Sequence, residues 1–378
     1  MNIKDFFKKG EKYIEIGPLD NPFLKRPEYD VYYSDFNTTE KVKELYKDSY
    51  AVLSKIVDID YPTEGKSLKE TVGNVKFAGA FSSHCIEHTH DVIRHLVDVG
   101  EVLEEGGKYV LCIPDKSNCF DCFRNVVSFR EAYNVYIGNG VNSLIADAII
   151  NTSTFNGADD VKYFWNKQVS LIPNLVLEEP RIAMAKEVYQ SKDPLSYAPC
   201  CHIWTFTYES LLEFLRDCLR FHLLPFTIEY HASTVNENNY NLYVVLRKDS
   251  KMLVDNTLCL NEIIKIQTFL EKKKGINSPL TKCIDENKMV YIYGAGVRGK
   301  QVYNFLKTYT KCEIAFLVSD NQDNNSEDLP APVYKLSKLM PKENFIIIIA
   351  TINSKYYMEM DNNLRLVGYK QGYHYFRW

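Results

Sequence analysis

Lys12-Tyr-Ile-Glu-Ile-Gly-Pro-Leu-Asp-Asn-Pro22, followed by Val31-Tyr-Tyr-Ser-Asp35, is the stretch that decides how this chain is read. Tyr13 to Ile16 is a short β-prone run that stops at Gly17, where the backbone can turn with no Cβ in the way. Asp30 to Ser34 is a second β-prone run, and it ends on the acid Asp35. Strand, glycine turn, connector, strand and acid make the front half of a nucleotide-binding α/β unit. Bare turn backbone approaches the ligand, and the carboxylate at the next strand tip takes ribose hydroxyls. No Gly-x-Gly-x-x-Gly is present here and Pro18 follows the glycine, which argues against a dinucleotide and its pyrophosphate. Alone, the stretch reads equally as a buried strand ending in an ordinary turn.

Downstream, Thr38 and Thr39 offer N-caps for a polar helix through Lys47. Val52 to Ile56 reads as a third strand with Asp58-Ile-Asp60 at its end, and Lys76 to Ser82 as a fourth. The fourth strand leads into the densest polar cluster of the chain, Ser82-Ser-His-Cys-Ile-Glu-His-Thr-His-Asp91. Within it, His84-Cys-Ile-Glu87-His88 matches the His-x-x-Glu-His pattern of inverted zinc proteases, whose i,i+4 histidines share a helix face. That chemistry needs both histidines well inside a helix, and a third, distant ligand. Here they sit at a strand exit, with the helix expected only from Thr89 or Asp91, so no metal is expected. Leu96 to Leu103 then reads as a helix, Glu104-Glu-Gly-Gly107 as a turn, and Lys108 to Pro114 as a fifth strand.

In this order the segments resemble the class I S-adenosylmethionine (SAM) methyltransferases, in the Glu-Ile-Gly-Pro form of polysaccharide-locus members. The shared features are the first motif, the Ser-Ser-His-x-x-Glu-His segment, the Leu-x-x-Gly-Gly turn and a fifth strand ending in Pro-Asp. His202-Ile-Trp-Thr-Phe-Thr-Tyr-Glu-Ser-Leu resembles the family's His-x-(Trp/Phe)-Thr run before its last helix. Thr207 is the N-cap there, and Ser210 stands where a capping box wants Glu, so a partial cap is expected. Leu223 to Tyr230 and Tyr240 to Arg247 alternate as a closing antiparallel pair. The resemblance implies that SAM is the cofactor. Gly17 and Pro18 would touch its methionine part with Glu15 in support, and Asp35 would hold the ribose. Asp58 and Ile59, or by spacing Asp60, would face the adenine, and Ser82 and Ser83 would border the site. His84 is the expected general base, oriented by Glu87 or His88, with His202 a second candidate. An equal alternative is that His84 only orders its loop.

Ser117 to about Pro199 breaks this rhythm with a long aromatic segment, helical over Val141 to Ile150 and Gly157 to Val169; it is expected to cover the acceptor. Cys119-Phe-Asp-Cys122 with Cys200-Cys201 does not make a four-thiolate zinc site, because the second pair lacks the two-residue spacer. Lys251 to Lys274 is a charged helix with a loose apolar stripe, read as a connector. Met289-Val-Tyr-Ile-Tyr-Gly-Ala-Gly-Val-Arg-Gly-Lys300 opens a second α/β unit. Gly294, Gly296 and Gly299 follow a strand and open a helix (Gln301 to Thr308), and a strand over Ile314 to Val318 ends at Asp320. Phe345 to Ala350 reads as a buried parallel strand. This unit resembles the small Rossmann-like domains appended to sugar-modifying enzymes. A nucleotide or nucleotide sugar on its glycines stands against a structural or oligomerisation role. The expected architecture is α/β: a class I methyltransferase Rossmann-like sheet over residues 1–248 with an insertion at 117–199, a helical connector at 249–285, and a smaller C-terminal Rossmann-like domain at 286–378.

The 378 residues carry a net charge of −4 and no basic block, which speaks against nucleic acid as a partner. The first ten residues interrupt their apolar run with charges, and no stretch approaches the ~20 apolar residues of a membrane span. With ten scattered cysteines read as reduced thiols, a cytoplasmic protein is expected, with a homo-oligomer as the alternative use of the second unit. Some of the 27 tyrosines suit a sugar-binding cleft. Two function classes follow: a SAM-dependent methyltransferase acting on a sugar-type small molecule, and an inert sensing or assembly protein on the same fold. The ordered motifs favour the enzyme.

Overall fold

The computed structural model describes residues 2–48, 51–119, 121–122, 124–151, 179–192, 201–235, 239–275, 289–310, 312–320, 329–339, 345–371 and 374–378. The chain divides into two compact units, Met1–Ile266 and Gln267–Trp378. The first is built on β1 (Lys12–Ile16), β2 (Asp30–Asp35), β3 (Tyr61–Pro62), β4 (Phe77–Ser83), β5 (Leu103–Pro114), β6 (Phe226–Ser233) and β7 (Asn241–Lys248). These form one sheet in the order β3-β2-β1-β4-β5-β7-β6, parallel except that β7 runs antiparallel to both neighbours. The central strands are buried through their middles, as in Tyr13-Ile14-Glu15 and Ala80-Phe81-Ser82. Burial on both faces is why their sequences run apolar instead of alternating. The register Ile14↔Tyr32 and Ile14↔Ala80 sets β1 between β2 and β4. The strand order reverses at β1/β4, and open α/β sheets bind ligands in the crevice beyond the carboxyl ends at such a reversal.

The helices of this unit are α1 (Thr39–Leu45), α2 (Leu68–Val72), α3 (Val92–Val102), α4 (Phe129–Tyr136), α5 (Val141–Asn151), α6 (Glu179–Gln190), α7 (Tyr208–Arg220) and α8 (Asn256–Lys273), whose last turns pass into the second unit. Thr38 caps α1 and Asp91 caps α3 through the Arg94 N–H, so the helix after β4 begins past the histidine cluster. The cap of α7 is complete where a partial one is expected. Thr207 Oγ1 accepts from Ser210 N and Ser210 Oγ accepts from Thr207 N, the serine hydroxyl doing the work of the missing glutamate. The helix then buries Leu211, Leu212, Phe214, Leu215, Cys218 and Leu219 on one face.

The third strand departs from the sequence reading. Val52 to Ile56 is not a strand: Leu53–Lys55 is a 3-10 turn with Val52 and Leu53 exposed, and Asp20 accepts the Val52 N–H. The segment finds no strand partner among the described residues, whereas Tyr61 pairs with Ser34 and Pro62 with Asp35. Asp58 and Ile59 therefore precede the third strand. Glu104 to Gly107, expected as a turn, continues into β5, with Gly106 at φ +79° and Gly107 pressed against the carbonyls of Glu104 and Ala78. The expected helix over 157–169 lies outside the described residues.

The second unit is a parallel sheet in the order β10-β9-β8-β11-β12, from β8 (Met289–Tyr293), β9 (Ile314–Val318), β10 (Val333–Lys335), β11 (Phe345–Ile349) and β12 (Tyr375–Arg377), with helices α9 (Val297–Tyr309) and α10 (Ser354–Leu366). β11 is buried throughout, as its unbroken apolar run requires. Its strand order also reverses at a single place, between β8 and β11. No helix among the described residues is long and apolar enough to cross a membrane.

Candidate active site

The glycine turn is held from below by Glu15. This residue is buried on β1, and its two carboxylate oxygens accept the backbone N–H groups of Phe23 and Leu24, each at 2.8 Å. Burial pushes the carboxyl up to about 7 despite the two N–H donors. Glu15 thus pins the far end of the loop that Gly17 begins. Gly17 has φ +68°, and a Cβ on it would meet Cys85 Sγ at 3.2 Å. The glycine is needed both for the left-handed turn and for the approach of the loop after β4. Pro18 is buried behind it.

Asp35 stands at the tip of β2, next to this turn in the sheet, since Gly17 N donates to Ser34 O at 2.9 Å. Its Oδ1 accepts from Asn37 N at 3.1 Å, and no cation pairs with it among the described residues. Burial raises its carboxyl above the ordinary range, outweighing that backbone bond. The exposed ring of Phe36 follows directly. Sequence reasoning passed over Phe36, although an aromatic directly after an acid at a strand tip is a readable signal. Asp58 is exposed, and Ile59 packs into the core beside Tyr33. Asp60 is engaged locally, accepting from Tyr33 N at 2.7 Å and from the Arg26 guanidinium.

Strained backbone gathers at the same edge. Four described non-glycine residues have positive φ, and three lie in loops after strand ends: Leu19 after β1, Glu64 after β3 and His84 after β4. Such conformations persist where surrounding structure over-determines them, and they cluster at ligand sites.

The segment after β4 divides its polar residues between two surroundings. Ser82 is buried and bonds Tyr109 Oη at 2.8 Å, and Tyr109 in turn meets His95 Nε2 at 2.8 Å; Ser83, one residue on, is half-buried at the strand end. His84 is one-third exposed. Its Nε2 lies 2.8 Å from Asn241 Oδ1 and its Nδ1 3.9 Å from Glu87 Oε1. With Nε2–H donating to the amide, Nδ1 carries the lone pair.

Glu87 is fully buried, and neither of its carboxylate oxygens has a hydrogen-bond partner among the described residues. Three histidines surround it. His202 Nε2 is 3.9 Å from Oε1, and the His88 ring sits edge-on to His202 at 4.7 Å. His88 Nδ1 lies 3.1 Å from Cys201 O, and desolvation lowers this histidine's pKa. His202 Nδ1 lies 2.5 Å from Asp121 Oδ2, while Asp121 Oδ1 accepts from Arg124 at 3.0 Å. Burial would raise the Asp121 carboxyl, but His202 and Arg124 together hold it below its usual range. Arg124 also reaches His202 O and Ile203 O, tying the start of the 202–206 segment to the loop after β5. Asp121, Arg124 and Asn241 escaped the sequence reading because their partners lie 78 to 157 positions away.

In the second unit the glycines differ in kind. A Cβ on Gly299 would lie 1.8 Å from Gly294 O, and one on Gly294 would lie 3.1 Å from Ala350 O. Both are required by the protein's own packing. Gly296, the N-cap of α9, has open space around it and an ordinary φ of −76°. Asp320 Oδ1 accepts from Ser337 N and Oγ, so the acid after β9 is engaged in capping the turn after β10.

No family model and no curated protein matches the sequence. Solved structures similar to the chain include the CurJ carbon methyltransferase, at 10% identity over 65% of this chain and 51% of that one, TM-score 0.32. Another is the magnesium protoporphyrin IX methyltransferase of Synechocystis PCC 6803 with bound SAH (9%, 64% and 75%, TM-score 0.30). A third is the mitomycin 7-O-methyltransferase MmcR (10%, 64% and 50%, TM-score 0.30). The matched region spans about half the length of the first and third of these.

Proposed function

We propose that this chain is a SAM-dependent methyltransferase acting on a small-molecule acceptor of sugar type, by O-methyl transfer, in surface polysaccharide biosynthesis in the cytoplasm. One observation carries the cofactor reading. A left-handed glycine turn after β1 and an acid at the tip of β2 with no cation paired to it among the described residues stand side by side where the strand order reverses. The Gly17–Pro18 turn would receive the methionine part, Asp35 the ribose hydroxyls and Phe36 an adenine face. The sugar-type acceptor rests on the motif resemblance alone.

Methyl transfer needs little covalent help from the protein. The acceptor oxygen attacks the sulfonium methyl, the C–S bond breaks toward neutral S-adenosylhomocysteine (SAH), and one proton must leave the acceptor. His84 Nδ1 is the base this reading assigns, held by Asn241 through Nε2. The proton it gains would face Glu87 Oε1, 3.9 Å away, whose charge stabilises an imidazolium. For the second unit, a nucleotide or nucleotide sugar at the β8/β11 reversal is a separate proposal, supported by the open space at Gly296. Thermal-shift screening of the full chain with SAM, SAH, NAD(P) and nucleotide sugars tests both readings. Stabilisation by SAM and SAH is expected; stabilisation by NAD(P) alone would overturn the cofactor assignment.

A further inference from the structure

We infer that Glu87, His88 and His202 form a binding site for one divalent transition-metal ion, with zinc the best fit to their donors. The inference is independent of the methyltransferase reading. It does not use the helix-face pairing of His84 and His88, which the fold excludes: Ile86–His88 is a single 3-10 turn, and α3 begins only at Val92. The third ligand comes from 114 positions beyond His88, brought in because Ile203 N and Trp204 N both donate to Glu87 O.

Three observations converge. First, one ligand atom from each of the three residues lies within 4.8 Å of the other two. Bonds of about 2.1 Å at a tetrahedral angle put ligand atoms about 3.4 Å apart, so closure on an ion needs side-chain shifts of about an ångström. Second, the Glu87 carboxylate is wholly buried and neither oxygen takes a hydrogen bond among the described residues, its nearest cationic candidates being imidazole nitrogens 3.9 Å away. A buried charge without hydrogen bonds is strongly disfavoured, and a cation is the partner that meets the need. Third, each histidine has its Nδ1 turned to an acceptor, Cys201 O for His88 and the Asp121 carboxylate for His202. That arrangement fixes the tautomer with the lone pair on Nε2, as metal-bound histidines require, and Asp121–His202 is the carboxylate–histidine pair that commonly backs a zinc ligand.

A second grouping, Cys119, Asp121 and His202, is also compact. Asp121 is already engaged there on both oxygens, by Arg124 on Oδ1 and by His202 and Cys119 on Oδ2. Glu87 is not, and this favours the first set. Three protein ligands among the described residues leave a fourth position for water or another oxygen. On the methyltransferase reading, an acceptor hydroxyl placed there would lose its proton more readily.

The test uses the full chain, stripped with a chelator and titrated with Zn²⁺ by calorimetry and with Co²⁺ by visible absorption. One ion per chain is expected, with Co²⁺ giving d–d bands of a low-coordinate site. Glu87→Gln keeps the shape and removes the anionic donor, and should weaken Zn²⁺ binding at least a hundredfold, as should His88→Ala. Asp121→Asn, acting through His202, should weaken it roughly ten- to a hundredfold. His90→Ala, in the same segment but outside the cluster, should bind as the parent does. Circular dichroism checks each variant's fold. A folded parent that takes up no stoichiometric Zn²⁺, or a Glu87→Gln variant that binds it equally well, overturns the assignment. Because SAH affinity is measured separately, failure here leaves the cofactor reading standing.

Discussion

Replacing Asp35 by Asn takes one negative charge from the tip of β2 and leaves the local frame intact, since an amide oxygen can still accept the Asn37 N–H that Asp35 accepts at 3.1 Å. The other oxygen becomes an NH₂ group facing the space assigned to the ribose. One charge-assisted hydrogen bond is lost outright, worth about 1.5–3 kcal/mol. At about 1.4 kcal/mol per decade, that is a roughly ten- to 150-fold rise in the Kd for SAH. Stability should not follow affinity. Burial raises the Asp35 carboxyl, so its ionised form is disfavoured in the fold, and the amide should melt at the same temperature or higher. The pH dependence has a definite sign. Ribose hydroxyls donate to the ionised acid, so binding expels a proton wherever Asp35 is still protonated. Affinity of the parent should therefore rise with pH through this raised pKa and then level off, while the Asn variant stays flat there. Calorimetry at several pH values reads both effects. Unchanged SAH affinity in a folded Asp35→Asn protein would refute the placement of the site.

Glu15→Ala strips the acceptors from two backbone N–H groups and should cost the first unit about 2–4 kcal/mol in chemical denaturation; Glu15→Gln, keeping one acceptor, should cost about half. Because the Glu15 carboxyl is raised from 4.5 to about 7, its contribution to stability is full below 4.5 and lost as pH rises through 7, and Glu15→Gln should flatten the stability profile in that window. His84→Ala should lower methyl-transfer turnover ~10²–10⁴-fold with SAH affinity nearly unchanged, and Asn241→Ala should lower it less; normal turnover in His84→Ala would return the base to another residue. In the second unit, Gly299→Ala should destabilise by more than about 3 kcal/mol, because its Cβ meets Gly294 O, whereas Gly296→Ala should be near neutral by hydrogen exchange.

The parts of the fold that were legible in the sequence are those fixed by local chemistry. Tyr13 to Ile16 ends at Gly17 because only glycine suits φ +68° against Cys85, and both halves of that requirement fall within one short motif and its strand neighbour. Asp91 and Thr207 mark helix starts by their own side chains. The third strand was not legible: two residues long, it exists only by pairing with Ser34 and Asp35, while the more β-prone Val52 to Ile56 has no strand partner among the described residues. The site was half legible for the same reason. Glu15, Gly17, Asp35 and His84 sit on strand ends that motifs mark. The Glu87–His202–Asp121 network depends on three loops meeting, with His202 and Asp121 81 positions apart, and no periodicity records that. Ser210 shows a smaller version: a hydroxyl completed a cap that composition rules assign to glutamate.

The central claim is that the crevice beyond β1 and β4 holds SAM. A crystal structure of the full chain grown with saturating SAH tests it most directly. The ribose hydroxyls should lie within hydrogen-bond distance of Asp35 and the homocysteine part against the Gly17 turn. SAH bound elsewhere, with this crevice empty, would contradict the claim.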